Sequence, residues 1–233
     1  MTGACVAWTT AGNNQTANIF AAKLGWDGEQ TRKNNMLINL FSQTGKTIGA
    51  FVGGQLIPSG RKKVFICFNI LSVLSCLMMQ YLSIYALCLG KLLNGITVTI
   101  VMVSCGKMIN ETVPVYLLDT YGIITQQFFA MGLLLSLGFG LGLPSRDFNP
   151  EIVDSESNNA AKLEDINDHF WRVIYAFPAL LNTIMLCNFL LFIKEEPIMF
   201  SLSEGNEESA LKLIDKIYHP NEDRHEILTY LKK

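Results

Sequence analysis

Long apolar runs separated by short polar segments make up most of this chain. The clearest run extends from Met36 to Ile57 and leads into the turn 58–60 (Pro-Ser-Gly) and the basic cluster 61–63 (Arg-Lys-Lys). At about 1.5 Å per residue a helix over this run is about 33 Å long, which exceeds the roughly 30 Å of hydrocarbon in a bilayer. The run therefore predicts a membrane-spanning helix.

The same pattern recurs along the chain and predicts a helical membrane bundle. The predicted spans cover residues 1–24, 36–57, 64–82, 87–109, 121–143 and 173–193. The link 83–86 is so short that the spans on either side of it must be antiparallel neighbours. The first span is short and rich in amides, which cost several kcal/mol each when left unpaired in lipid. We expect it to be the latter part of a span that lines a wet interior, with its beginning absent.

Segments of different character flank these spans. Residues 25–35 and the acidic stretch 144–170 are predicted to be loops, and 194–233 a cytosolic helical connector whose apolar residues recur at helical spacing. Within the second predicted span, Gly45, Gly49 and Gly53 recur every fourth residue. They therefore share one helix face, on which another helix can approach closely.

Composition and charge support the membrane assignment and exclude several functions. Half of the 233 residues are apolar and 16% are charged, against about 25% charged in soluble domains. The net charge of −2 gives no electrostatic case for nucleic acid. The cysteines lie in apolar runs without metal-ligand spacing, and the histidines lie in loops or the tail. We therefore expect no metal site, no cofactor and no enzyme activity.

The basic residues predict the orientation of the chain. They cluster at 61–63 and recur at Lys107, whereas the loop 144–170 is acidic. The positive-inside rule then places the loops 58–63 and 107–120, with the tail, in the cytosol. The loops 25–35 and 144–170 would face outward, and the plasma membrane is the expected location.

Several short motifs resemble those of the sugar porter family of the major facilitator superfamily. Residues 53–62 (GGQLIPSGRK) are similar to the loop motif G-x-x-x-D-[RK]-x-G-R-[RK], with Ile57 and Pro58 at its acidic and first basic positions. The motif residues that are kept are Gly53, Gly60, Arg61 and Lys62.

The other matches follow in the order that the family has them. Residues 90–95 (GKLLNG) are similar to G-R-x-x-x-G, and residues 111–114 (ETVP) match E-x-x-P. Residues 171–172 (WR) resemble the family's W-R, and residues 194–197 (KEEP) resemble its P-E-S-P. The last is followed by an amphipathic stretch, 205–218, similar to an intracellular helix.

The resemblance implies an all-α membrane protein: the six-helix amino-terminal half of a major facilitator fold, its first helix incomplete. A second six-helix half, missing from this chain, would complete a cavity near mid-membrane, and rocking of the halves would expose that cavity alternately to each side. The expected partners are the lipid bilayer, that second half and a small sugar or polyol, most simply a hexose.

The resemblance also assigns roles to individual residues. Gln126 falls where the family keeps a sugar-contacting glutamine, and Asn13 and Asn14 are candidates to line the same cavity. Lys46 lies too deep in its span to reach the interface, so we expect it to face the cavity or an acid. The predicted spans hold no acid deep inside, whereas proton-coupled members use one. Facilitated diffusion is therefore expected.

Three charged residues resemble the family's cytosolic gate: Arg61, Glu111 and Glu195. Ion pairs among them would hold one state and break as the halves rock. The alternative is that these are solvated charges of little energetic consequence. For the chain as a whole, two alternatives to transport remain open: a non-transporting half-carrier that acts as a regulatory or sensor subunit, and an incomplete gene product.

Overall fold

Among the residues that the structure describes, those that form regular structure are helical. The computed structural model describes residues 4–5, 7–8, 16, 19–21, 23–56, 58, 60–113, 117–140, 170–192, 198–203, 205, 208 and 211–214. Its helices are α1 (Gly28–Leu56), α2 (Arg61–Met78), α3 (Ile84–Thr112), α4 (Leu118–Gly140), α5 (Phe170–Phe192) and α6 (Ile198–Ser203). The described residues between 4 and 24 are all helical and are called the amino-terminal segment below.

Helix α1 begins at Gly28, well before the apolar run that predicted it. The expectation of a loop over 25–35 is therefore wrong from Gly28 onward. Asp27 starts the helix, because its side chain accepts from the Gly28 amide (2.8 Å) and its carbonyl accepts from the Thr31 amide (2.8 Å). The ion pair between Lys33 and Glu29 (2.7 Å) then links positions i and i+4. Polar residues with good helix propensity thus extend the helix beyond the apolar run.

Helices α2 and α3 form an antiparallel hairpin, as the short link predicted. The turn between Met78 and Ile84 is closed by backbone hydrogen bonds, among them Gln80 N to Leu77 O at 3.1 Å. Helix α2 is shorter than the predicted span and α3 is longer. The end of the bundle that holds this turn is called the turn end, and the opposite end is called the Arg61 end.

Helices α1 and α3 are in backbone contact through glycines, as the spacing of three α1 glycines predicted. A Cβ atom built on Gly49 would lie 2.6 Å from the Ile96 carbonyl oxygen, and one on Gly95 would lie 2.6 Å from the Ser42 carbonyl oxygen. Gly45 meets the backbone of Leu92 still more closely. No side chain larger than hydrogen fits at these positions without separating the helices.

Helix α5 packs against α2 and contains a proline in its interior, Pro178. Proline has no N–H, so the carbonyl of Ile174, four residues earlier, loses its helical donor. The indole Nε1 of Trp8 donates to that carbonyl instead, at 2.8 Å. A side chain of the amino-terminal segment therefore completes the hydrogen bonding of α5, as lipid-embedded backbone requires.

Buried apolar residues form clusters at the two ends of the bundle. The cluster toward the turn end includes Phe20, Trp171, Tyr175 and Met79. The other joins α2, α3 and α5 and consists of Phe65, Val101, Met108, Met185 and Phe189. It lies toward the Arg61 end and is called the lower cluster below. Phe65 and Phe189 stack within it, with ring centroids 4.1 Å apart.

Within the part of the chain that the structure describes, three helices are long and apolar enough to cross a membrane by length and composition. They are α3, α4 without its last residue, and α5 without its first. Helix α1 carries many polar residues and α2 begins with three basic ones, so neither meets this criterion although both belong to the same bundle. Helices α1 and α2 are therefore less hydrophobic than α3, α4 and α5.

Candidate functional site

A partly buried ion pair joins the start of α2 to the end of α3. Arg61 Nη2 donates to Glu111 Oε1 at 2.7 Å, and each side chain is only 14% exposed. The ring of Phe200 in α6 lies beneath the guanidinium, 5.0 Å from its Cζ. Gly60, just before α2, has φ of 115°, a conformation that other residues rarely adopt. The backbone conformation of the motif glycine therefore determines how the chain enters α2, and with it where the motif arginine lies.

The positions of these two residues in their helices are electrostatically unfavourable for each charge on its own. Arg61 lies at a helix N-terminus and Glu111 at a helix C-terminus, where the macrodipoles disfavour their charges. Each charge is thus stabilised chiefly by the other. Arg61 Nε and Glu111 Oε2 are buried without a hydrogen-bond partner, so one hydrogen bond carries the contact. Such a pair loses much of its stability if either partner is displaced, because a partly buried charge is left alone.

A second cation lies in the interior of the bundle. Lys91 of α3 is 2% exposed, and its Nζ lies 4.7 Å from the centre of the Tyr175 ring in α5. A 2.7 Å hydrogen bond joins the hydroxyls of Tyr175 and Thr16. Tyr175 therefore contacts both Lys91 of α3 and the amino-terminal segment. The sequence analysis used Lys91 only as a motif position, although a lysine inside an apolar run is itself a signal.

Lys46 lies beside the α1–α3 contact. It is half-buried, and its backbone nitrogen would be 3.0 Å from a Cβ atom on Gly95. The backbone of Lys46 is therefore close to α3, the helix that carries Lys91. A Cβ atom built on Gly53, the motif glycine of α1, would lie at ordinary contact distance (3.5 Å) from Ile100. Lys62 is half-buried in the first turn of α2.

Gln126 is exposed on α4 and has no hydrogen-bond partner among the described residues. Helix α4 packs on the amino-terminal segment through Gly132, which meets Ala4, and Ser136, whose hydroxyl points to the Trp8 carbonyl at 3.5 Å. At about 100° per residue, Gln126 lies about 100° from the middle of this packed side, and Gln127 about 160°. Gln126 therefore borders the packed side, whereas Gln127 lies opposite it.

Three predicted site residues, Asn13, Asn14 and Glu195, lie outside the described residues. The structure thus brings together Arg61 and Glu111, and places Lys46 and Gln126 on different helices.

Sequence reasoning missed a set of buried amides. Asn94 donates to Ser75 Oγ (3.1 Å) and to Cys76 Sγ (3.2 Å), and Asn182 donates to Ser72 Oγ (2.9 Å). Asparagines inside predicted spans were the available signal.

Comparison with known proteins identifies the family. The model of the family described as "Sugar (and other) transporter" matches residues 1–233. The chain belongs to this family. Membership in a transporter family confirms that it is an integral membrane protein and not an enzyme.

Proteins to which the chain is similar include transporters of Plasmodium and Trypanosoma species. The chain is 26% identical over 215 residues to "Hexose transporter 1" of Plasmodium falciparum, covering 88% of this chain and 41% of that protein. It is 31% identical over 124 residues to "Glucose transporter 1B/1C/1D/1F/2B" of Trypanosoma brucei brucei, covering 51% of this chain and 23% of that protein. The chain thus spans less than half the length of these relatives.

Solved structures confirm the fold. The partially occluded, inward-open form of the xylose transporter XylE from E. coli aligns with a TM-score of 0.75 and 16% identity. The alignment covers 99% of this chain and 54% of that one. The chain therefore has the all-α fold of the amino-terminal half of a major facilitator transporter, as the motifs implied.

Proposed function

We propose that the chain is the amino-terminal half of a facilitative hexose carrier that works by alternating access with a second six-helix half. The names of its relatives support a hexose as the solute. The predicted spans contain no carboxylate deep inside, which supports passive transport. The Arg61 end would face the cytosol at the plasma membrane, together with the tail, following the basic residues.

The observation that carries the mechanism is the Arg61–Glu111 contact. The gate hypothesis required these motif residues to approach one another, and their 2.7 Å separation supports it over separately solvated charges. In the proposed cycle the pair, resting on Phe200, holds the cytosolic ends of α2 and α3 together in the outward-open state. Rocking of the halves would break the pair by moving the cytosolic end of α2 away from that of α3. Glu195 would extend the same network.

Gln126 is the proposed sugar ligand. Its amide offers two donors and an acceptor, which suits two neighbouring sugar hydroxyls. Its exposed position beside the packed side of α4, with no partner among the described residues, leaves the amide available. Asn13, Asn14 and Lys46 are the further candidates to line the cavity.

The test of sugar binding is radiolabelled hexose uptake by cells that express the intact protein. Gln126→Ala removes about two hydrogen bonds and is expected to raise KM about 10- to 100-fold. Gln127→Ala, on the opposite side of α4, is the matched control and is expected to leave KM unchanged. Equal effects of the two substitutions would contradict the assignment. Uptake by residues 1–233 expressed alone would contradict the need for a second half, and no uptake by the intact protein would favour a regulatory subunit or a defective product.

The gate is tested by charge exchange. Arg61→Glu and Glu111→Arg should each slow uptake, and the double exchange should recover much of the rate, because it restores an ion pair at the same place. Failure of the double exchange to exceed both single variants would contradict a gate.

Passive transport is tested in proteoliposomes, where hexose uptake should leave the external pH unchanged; alkalinisation outside would show proton symport.

A further inference from the structure

Two fully buried polar side chains, one on α2 and one on α3, lack hydrogen-bond partners. Asn69 and Ser104 are both 0% exposed. Neither the Nδ2 nor the Oδ1 of Asn69, nor the hydroxyl of Ser104, meets a donor or acceptor among the described residues. Buried polar groups are nearly always paired, and all the more so where lipid surrounds the protein, so each such exception calls for a physical cause.

The two residues border the same apolar cluster from opposite helices. Asn69 follows Phe65 by one helical turn, and Ser104 lies between Val101 and Met108, all three of them members of the lower cluster. Measured from the Arg61–Glu111 contact, Asn69 lies about 12 Å along α2 and Ser104 about 10 Å along α3. The two unpaired side chains are therefore at similar depths, each beside members of the lower cluster.

Neighbouring polar residues on the same surfaces are paired. Ser72, three residues beyond Asn69, accepts from Asn182 (2.9 Å), and Ser75 accepts from Asn94 (3.1 Å). On the other side of Asn69, toward the Arg61 end, Arg61 Nε and Glu111 Oε2 are again unpaired. Along α2 and α3, unpaired side-chain groups thus lie between the ion pair and the paired amides, whereas the unpaired Trp171 Nε1 is a separate group toward the turn end.

We propose that Asn69 and Ser104 bind ordered water inside the bundle. An amide supplies a donor pair and an acceptor, and a hydroxyl rotates to suit either role, so water can satisfy all three unpaired groups. Buried waters characteristically make about three hydrogen bonds to such otherwise unsatisfied groups. The site is a structural one, separate from the sugar contact proposed for Gln126.

The lower cluster contains a reporter for this water. Met185 is 8% exposed and shares the cluster with the neighbours of Asn69. X-ray radiolysis turns bound water into hydroxyl radicals in place, and these oxidise an adjacent methionine to the sulfoxide. In the intact protein in lipid nanodiscs, Met185 should be oxidised well above Met79, which is 1% exposed at the turn end.

Substitutions at Asn69 test whether bound water causes this oxidation. Asn69→Leu should reduce Met185 oxidation to the level of Met79 and lower the Tm, whereas Asn69→Ser, which keeps a polar group, should retain most of the labelling. Asn188→Leu, which removes an exposed amide from α5, is the control and should change neither measurement.

Two results would overturn the proposal: Met185 oxidation no higher than that of Met79 in the unmodified protein, or a Tm raised by Asn69→Leu. The second would mean that the amide is simply unpaired. If Asn69→Leu fails to fold, the labelling of the unmodified protein and of Ser104→Ala still decides, since Ser104→Ala should also reduce oxidation of Met185.

Discussion

The hydrogen bond from Trp8 to the Ile174 carbonyl can be tested by a double-mutant cycle. The carbonyl is available because Pro178 supplies no amide proton, and Trp8 donates to it at 2.8 Å while its ring stacks on Phe177. Trp8→Phe keeps an aromatic ring but removes the donor. Leaving a buried carbonyl unpaired costs about 1–3 kcal/mol, which corresponds to a fall in Tm of about 2–12 °C in a chain of this size.

The matched background is Pro178→Ala. Alanine restores the amide proton, so the Ile174 carbonyl regains a donor within α5 and no longer depends on the indole. The loss of ring volume in Trp8→Phe is the same in both backgrounds and cancels in the cycle. We therefore expect Trp8→Phe to lower the Tm much less in Pro178→Ala than in the unmodified protein. Thermal unfolding of purified protein in detergent measures this, and an equal loss in both backgrounds would refute the reasoning.

Two further predictions concern packing and surface charge. Gly49→Ala places a methyl group 2.6 Å from the Ile96 carbonyl oxygen, whereas at Gly54, also in α1, a methyl group meets nothing within 4 Å. Because both substitutions gain the same helix propensity, the Gly49→Ala protein should be less stable than the Gly54→Ala protein by about 1–3 kcal/mol. Equal Tm values for the two variants would contradict the close contact. The hydrogen bond from Lys212 lowers the pKa of Glu208, so any stability from this pair is present above the usual pKa of the carboxyl and lost as pH falls through the lowered pKa. Because the pair is fully solvated, Lys212→Ala should leave the Tm unchanged at pH 7, and a measurable fall would show that the pair supports the fold.

Much of the fold was predictable because apolar runs and glycine spacing are local properties of the sequence. The runs that predicted spans correspond to α1–α5, and the glycines of α1 meet α3 as their spacing indicated. The start of α1 was missed because hydropathy marks where a helix enters lipid and not where it begins. There the capping by Asp27 and the Glu29–Lys33 pair decide the boundary.

The site was less predictable because its contacts join distant parts of the chain. Motif order was enough to pair Arg61 with Glu111, but the ring of Phe200 beneath them depends on where α6 packs. The support of Lys91 by Tyr175 likewise depends on how α5 is rotated. The side of α4 on which Gln126 lies became definable once Gly132 showed which side packs.

The glycine contact between α1 and α3 also determines how force passes through the bundle. Where two backbones touch without intervening side chains, neither helix can tilt by side-chain rearrangement alone, so a displacement of α1 is transmitted directly to α3. Helix α4, seated on the amino-terminal segment through small residues such as Gly132, lacks an equivalent coupling to α1 within the described residues. A pull on α1 therefore moves Glu111 and Lys91, which are both on α3, together, while α4 can lag behind them.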